Sequence, residues 1–214
     1  MKAVFVVLLS ITAFVGFGQS GALFKNGSIK LKYSPSPQFY LFNKSAVNKA
    51  GSAGWLLVEV SYTPPSNKSG GKNSWFDDIT METELVIPAS YKSKNVTALL
   101  KGKTVFWSIP MDGKKHQALG CVPPQVIARF ARKGIKIETS KMMARVTFYD
   151  KNRRILARIH SSSSSRVRDY FNKIGGAVSS GVLTVEDIVL PRTKTPWGVI
   201  NYELFDLIKP DPQK

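Results

Sequence analysis

The chain has 214 residues, 43% of them hydrophobic and 11% aromatic, and a formal net charge of +17. That composition suits one globular domain of ordinary size and argues against disorder. The single cysteine, Cys121, excludes an internal disulfide framework, so stability must come from packing.

Residues 1–18 have the layout of a secretory signal peptide: Lys2, an apolar stretch from Ala3 to Phe17 with Ser10 and Thr12 as its polar interruptions, and small Gly16 and Gly18 before Gln19. The stretch is shorter than the about 20 apolar residues of a membrane span. No second long apolar run follows, so the mature chain is expected to carry no transmembrane segment. Export without disulfides favours a bacterium, with the protein in the periplasm, at the outer surface or outside the cell. In that setting the Asn-x-Ser/Thr triplets at Asn26, Asn43, Asn67 and Asn95 read as chance occurrences rather than glycan acceptors.

Residues 19–214 are expected to form a single domain, with 19–50 a loosely ordered N-terminal segment. Beyond it the periodicity is that of strands. Leu56, Val58, Val60 and Tyr62 share a face, as do Ile79, Met81, Leu85 and Ile87 opposite Asp78, Thr80, Glu82 and Glu84. Val105, Trp107 and Ile109 alternate next, then Met142, Ala144, Val146 and Phe148, then Ile155, Ala157 and Ile159. Asp112-Gly113 and Asp150 to Arg153 read as tight hairpins. A helix is predicted from Pro123 to Lys133, closed by Gly134, with Val126, Ile127 and Phe130 as its apolar stripe. A second runs from Ser165 to Ile174, after a serine run whose last member can cap it. Another strand is expected over Val182 to Leu190, and Trp197 to Leu207 is ambiguous. The sum is a mainly β chain, antiparallel and sandwich-like, with one or two short inserted helices.

Little in the sequence supports catalysis. Cys121 lies upstream of a predicted helix, where a thiolate can be stabilised, but no cysteine-enzyme signature surrounds it, and a lone cysteine is usually a small buried hydrophobe. His116 and His160 lack metal-ligand spacing, and Asp78, Glu82 and Glu84 on a flat strand suit calcium poorly. No phosphate loop, nucleophile elbow or paired acid stands out, so no catalytic residue, cofactor or metal is expected.

Charge is the remaining signal. Lys114 to Arg168 holds fourteen Lys and Arg against Glu138 and Asp150. For an exported protein the anionic partner is a glycan, a lipid headgroup, a wall polymer or an acidic protein face rather than nucleic acid. Arg145, Tyr149, Arg154 and Arg158 are the candidate binding residues on the second hairpin, with Arg129 and Arg132 on the first helix. Arginine forks match carboxylates and sulfates, and an aromatic face stacks on sugar rings.

Four stretches carry a resemblance: Trp55 to Val60, Asp78 to Leu85, Gly120-Cys121-Val122-Pro123-Pro124, and Asp187 to Pro196. They resemble an exported pilus-like family of gut bacteria whose members are encoded beside type IV pilus assembly genes. The resemblance implies an immunoglobulin-like β-sandwich, no enzymatic activity, a place at the cell surface, and self-association into a small oligomer such as a trimer. One feature departs from a true type IV pilin: the apolar stretch precedes the predicted cut, so cleavage discards the only candidate filament-core helix. The expected role is therefore that of a pilus-associated or surface protein binding itself or other pilus and envelope proteins. The alternative is an adhesin-like module for mucin-type or sulfated anionic glycans.

Overall fold

The computed structural model describes residues 22–37, 54–66, 74–131, 137–176, 181–199 and 205–210. Its strands are β1 (Lys25–Ser34), β2 (Trp55–Thr63), β3 (Trp75–Tyr91), β4 (Lys94–Pro110) and β5 (His116–Val122). After helix α1 (Pro124–Phe130) come β6 (Met143–Tyr149), β7 (Ile155–His160), helix α2 (Ser165–Gly176), β8 (Val182–Val185) and β9 (Leu190–Pro191). They form two sheets, ordered β1-β2-β5-β9 and β7-β6-β3-β4-β8. The predicted mainly β sandwich with short helical insertions is the observed architecture.

Period-two patterning accounts for the core. Leu56, Val58, Val60 and Tyr62 from β2 bury against Ile79, Met81, Leu85 and Ile87 from β3 and Ala144, Val146 and Phe148 from β6. The largest element is the β3–β4 hairpin, paired from Trp75↔Pro110 to Tyr91↔Lys94. Its turn is hidden in sequence. Lys92 and Ser93 adopt φ values of 48° and 63°, a conformation usually signalled by Asn-Gly.

Several expectations need correction. Asp112-Gly113 is not a hairpin but the crossing from one sheet to the other, since β4 pairs with β3 and β8 whereas β5 pairs with β2 and β9. The turn chemistry is as read, with Gly113 at φ 69° and Asp112 Oδ1 accepting from the Lys114 amide at 2.8 Å, but pairing is decided by where the apolar face of β5 finds a partner. Asp150 to Arg153 does join antiparallel neighbours, and Asp150 Oδ1 accepts from the amides of Asn152 and Arg154, both at 2.9 Å.

Trp107 does not share an inward face with Ile109. It is 49% exposed, and Phe106 takes the buried place. Asp78, which lies opposite Trp107, has φ 57°, and the alternation slips there on both strands. Likewise Ile155 is exposed and Leu156 buried, because the β6–β7 register shifts between Phe148 and Tyr149. The predicted strand over Val182 to Leu190 is split by a turn with Asp187 at φ 55° into β8 on one sheet and β9 on the other, and β8 runs parallel to β4.

The helices are placed as predicted, with different ends. α1 stops at Phe130, because Ala131 is extended, and it buries Ile127 and Phe130. α2 begins at Ser165, so Ser164 holds the cap position and its carbonyl accepts from the Val167 and Arg168 amides. Within the N-terminal segment, Lys25 to Ser34 forms an edge strand, while 38–50 lies outside the described residues. No described helix is long and apolar enough to cross a membrane.

Candidate functional site

The outer face of the five-stranded sheet gathers most of the charged candidates in rows set by strand register. One row runs His160, Arg145, Glu84, Lys101, and the next Arg158, Thr147, Glu82, Lys103. The two glutamates of β3 therefore stand between the basic residues of β6–β7 and those of β4. Arg145 Nε donates to Glu84 Oε2 at 2.5 Å, and its guanidinium lies 4.8 Å from the centre of the Phe171 ring. Phe171 belongs to α2, whose apolar side packs with Val167 onto Val86 and Leu99 just beyond that row. Arg145 is thus a structural clamp between sheet and helix.

The other candidates are dispersed. Tyr149 lies beneath Arg153, 4.3 Å from guanidinium to ring centre, and Arg153 in turn donates to Glu82 at 3.0 Å. Arg154 precedes β7 and is bound to Asp150 at 2.7 Å. Arg158 is exposed on β7 with no ion pair among the described residues. Arg129 sits elsewhere, on α1 against Phe130, and Arg132 lies outside the described residues. The predicted set does not converge on one platform. Glu82 and Glu84 are held by arginine and lysine, and the described residues contain no cluster of potential metal ligands.

Cys121 faces outward from β5 yet is fully buried, under a second small core of Leu57 and Leu119 covered by Trp55, Trp197 and Phe205. Burial pushes its thiol up to about 12, against a weak hydrogen bond from Thr195. At neutral pH it is a protonated packing residue, not a nucleophile. Arg192 secures the cover, donating to the carbonyls of Trp197 at 2.9 Å and Gly198 at 3.1 Å.

Sequence reasoning missed a polar chain at the end of the sandwich, buried at Tyr62 and exposed at Asp112. Tyr62 donates to Asp206 Oδ2 at 2.5 Å, Asp206 Oδ1 meets His116 Nδ1 at 2.9 Å, and His116 Nε2 meets Asp112 Oδ1 at 3.0 Å. The hydrogen bond to Asp206 raises the His116 pKa above its ordinary value, with Asp112 adding to it and burial opposing both. Asp112 and His116 are four residues apart, but Tyr62 and Asp206 come from distant parts of the chain, so no local motif announces the whole set. The same C-terminal segment pairs with β4: the Trp107 amide donates to Leu207 at 2.9 Å and the Lys209 amide to Val105 at 2.7 Å.

Between the edges of the two sheets, β1 and β7 leave an open cleft of about 810 Å³. Lys25, Arg158, His160, Arg168 and Ser161 to Ser163 line it, and among the described residues no carboxylate does. A second, smaller cleft of about 460 Å³ lies at the Asp150 hairpin beside the exposed side chains of Leu23, Trp75 and Ile155.

A family model matches residues 19–211, a span that contains every described residue. The chain belongs to that pilus-related family. Among solved structures, a crystal structure of a protein from Akkermansia muciniphila aligns with a TM-score of 0.65 at 15% identity, covering 86% of this chain and 92% of that one. At that identity the likeness establishes the shared fold alone. No curated protein is significantly similar. Three of the four stretches that carry the sequence resemblance meet around Cys121: β2, the β5–α1 junction and residues 187–196.

Proposed function

We propose that the protein is an exported, non-enzymatic component of a bacterial pilus or outer envelope, acting by binding other proteins and by self-association into a small oligomer. The observation that carries this reading is the family match over residues 19–211. The match begins directly after the segment that reads as a signal peptide, which supports removal of residues 1–18 and export. An immunoglobulin-like strand arrangement, linkage to type IV pili and a trimeric state are the finer parts of the proposal, and they rest on the sequence resemblance. The protein would then be an accessory or surface subunit, since the apolar stretch lies before the cut.

The geometry supports an interaction role more than a chemical one. Cys121 is buried and protonated, and the His116 chain ties a strap to the sandwich. The alternative, an anionic-glycan module built on the basic hairpin, has less support, because Arg145, Arg153 and Arg154 are already engaged by Glu84, Glu82 and Asp150. Crosslinking on intact cells, with identification of the attached molecules, tests the reading. Attached pilus or envelope proteins are expected, and attachment to polysaccharide alone would overturn it.

A further inference from the structure

The cleft between β1 and β7 combines three features. The first is a sheet edge that no strand covers among the described residues. Ser161 donates its amide to Ala144 at 2.9 Å, so antiparallel alternation turns the main-chain groups of Ile159 and Ala157 toward β6. Those of Arg158 and His160 point the other way, into the cleft. Leu156, next in that series, shows what the edge can do: its carbonyl accepts from the Leu23 amide at 2.7 Å. Beyond that contact the two edge strands pair no further among the described residues, where β7 is hydrogen-bonded to β6 and β1 to β2.

The second feature is charge. Lys25, Arg158 and Arg168 line the cleft without an ion-pair partner among the described residues, in contrast to the engaged arginines of the adjoining hairpin. The third is the alternation of the wall. Ala157 and Ile159 project to the inter-sheet side, while Arg158 and His160 project to the outer side beside Arg168 of α2. A strand laid along β7 would set its own side chains alternately against these two surfaces.

We infer that this cleft receives a short extended segment of another protein as an added strand on β7, with acidic residues at alternate positions and apolar residues between them. Main-chain hydrogen bonds to Arg158 and His160 would supply affinity, as in other strand additions, and the arginines would select for acid on one face. This rests on the reading that the protein works by binding proteins, and names the surface used. Positive charge on an edge strand also serves to repel unwanted pairing, and the experiment separates the two roles.

The test is fluorescence anisotropy of the full-length chain at low ionic strength with a labelled octapeptide alternating Glu and Val. Saturable binding is expected, weakening about ten-fold when Arg158→Ser and Arg168→Ser are combined. It should vanish when alternate amides of the peptide are N-methylated. Hydrogen exchange at the Arg158 and His160 amides should slow in the complex. Failure to bind would overturn the inference and leave the charges as edge guards. Binding that survives N-methylation would overturn it too, as would preferential binding of heparin, the sulfated polysaccharide probe. A negative peptide result beside positive cell crosslinking to proteins would sink this cleft alone and leave the proposed function standing. Both arginines sit on the surface, so circular dichroism and the melting temperature should be unchanged in the variant.

Discussion

The two sides of the sandwich solve the same problem differently. On the β4 side the edge is sealed by the chain itself: β8 pairs along residues 97–100, Ile188 and Val189 donate to the Lys101 carbonyl, and residues 207–209 pair along 105–107. Val189 closes the gap between the sheets, passing so near Gly102 that a Cβ there would meet its carbonyl oxygen at 1.8 Å. On the opposite side the chain leading into β1 bonds β7 at the Leu156 carbonyl, and a basic cleft lies between the two strand edges with no further main-chain bond across it among the described residues. An edge that is closed by main-chain bonds and a buried valine has a structural purpose. An edge left open, with its cations unpaired among the described residues, is available for partners.

That contrast can be broken most severely at Gly102. Gly102→Ala should cost about 3 kcal/mol or more, because backbone must move and not merely a side chain, and the midpoint of chemical denaturation would report it. An unchanged midpoint would mean that the crossing of Val189 is not tight. Next comes the C-terminal strap. Asp206→Ala leaves the Tyr62 hydroxyl and His116 without their shared acceptor and should cost about 1–3 kcal/mol, together with faster hydrogen exchange at Trp107.

The strap also carries a pH signature. His116 has a raised pKa in the folded protein, so its contribution is fully present below its unfolded value of about 6.5 and is lost as pH rises through the folded one. Melting temperature in the wild type should therefore contain a fall on the alkaline side of that value that Asp206→Asn reduces. If both proteins give the same profile, the His116 pair does not hold the strap.

The open edge should respond weakly. At Gly27 an added Cβ would meet only the Ile159 side chain, at 2.6 Å, and that group can turn into the adjacent cleft. Gly27→Ala should cost no more than about 1 kcal/mol by thermal melting. Arg158→Ser should change stability by less than about 0.5 kcal/mol. A large loss at either position would show that this edge too is a structural seal, and the distinction between the sides would fall.

Much of this fold was legible because period-two burial is local. The runs at 56–62, 79–87 and 142–148 needed only their own residues to declare a face. What escaped was set by distant partners or by single backbone angles. Trp107 turns outward because of Asp78 across the hairpin, and Ile155 because of a register shift. Asp112-Gly113 had the chemistry of a hairpin turn, yet the faces on either side of it belong to different sheets. The candidate site fared similarly. Composition located a basic region, but it gave no means of telling Arg145, spent between Glu84 and Phe171, from Arg158, which has no such partner among the described residues.

The described chain enters the sandwich beside β7, where Leu23 meets Leu156, and leaves it beside β4, where Lys209 meets Val105. Its two ends are fastened to opposite margins of the five-stranded sheet. A pull on both ends therefore loads the contacts at each margin and the body between them in series, and the weaker margin yields first. Among the described residues each margin is fastened by two main-chain bonds, backed at the entry by buried Phe24 and at the exit by the Asp206 pairs, so both would be loaded before the long β3–β4 hairpin carries enough force to open.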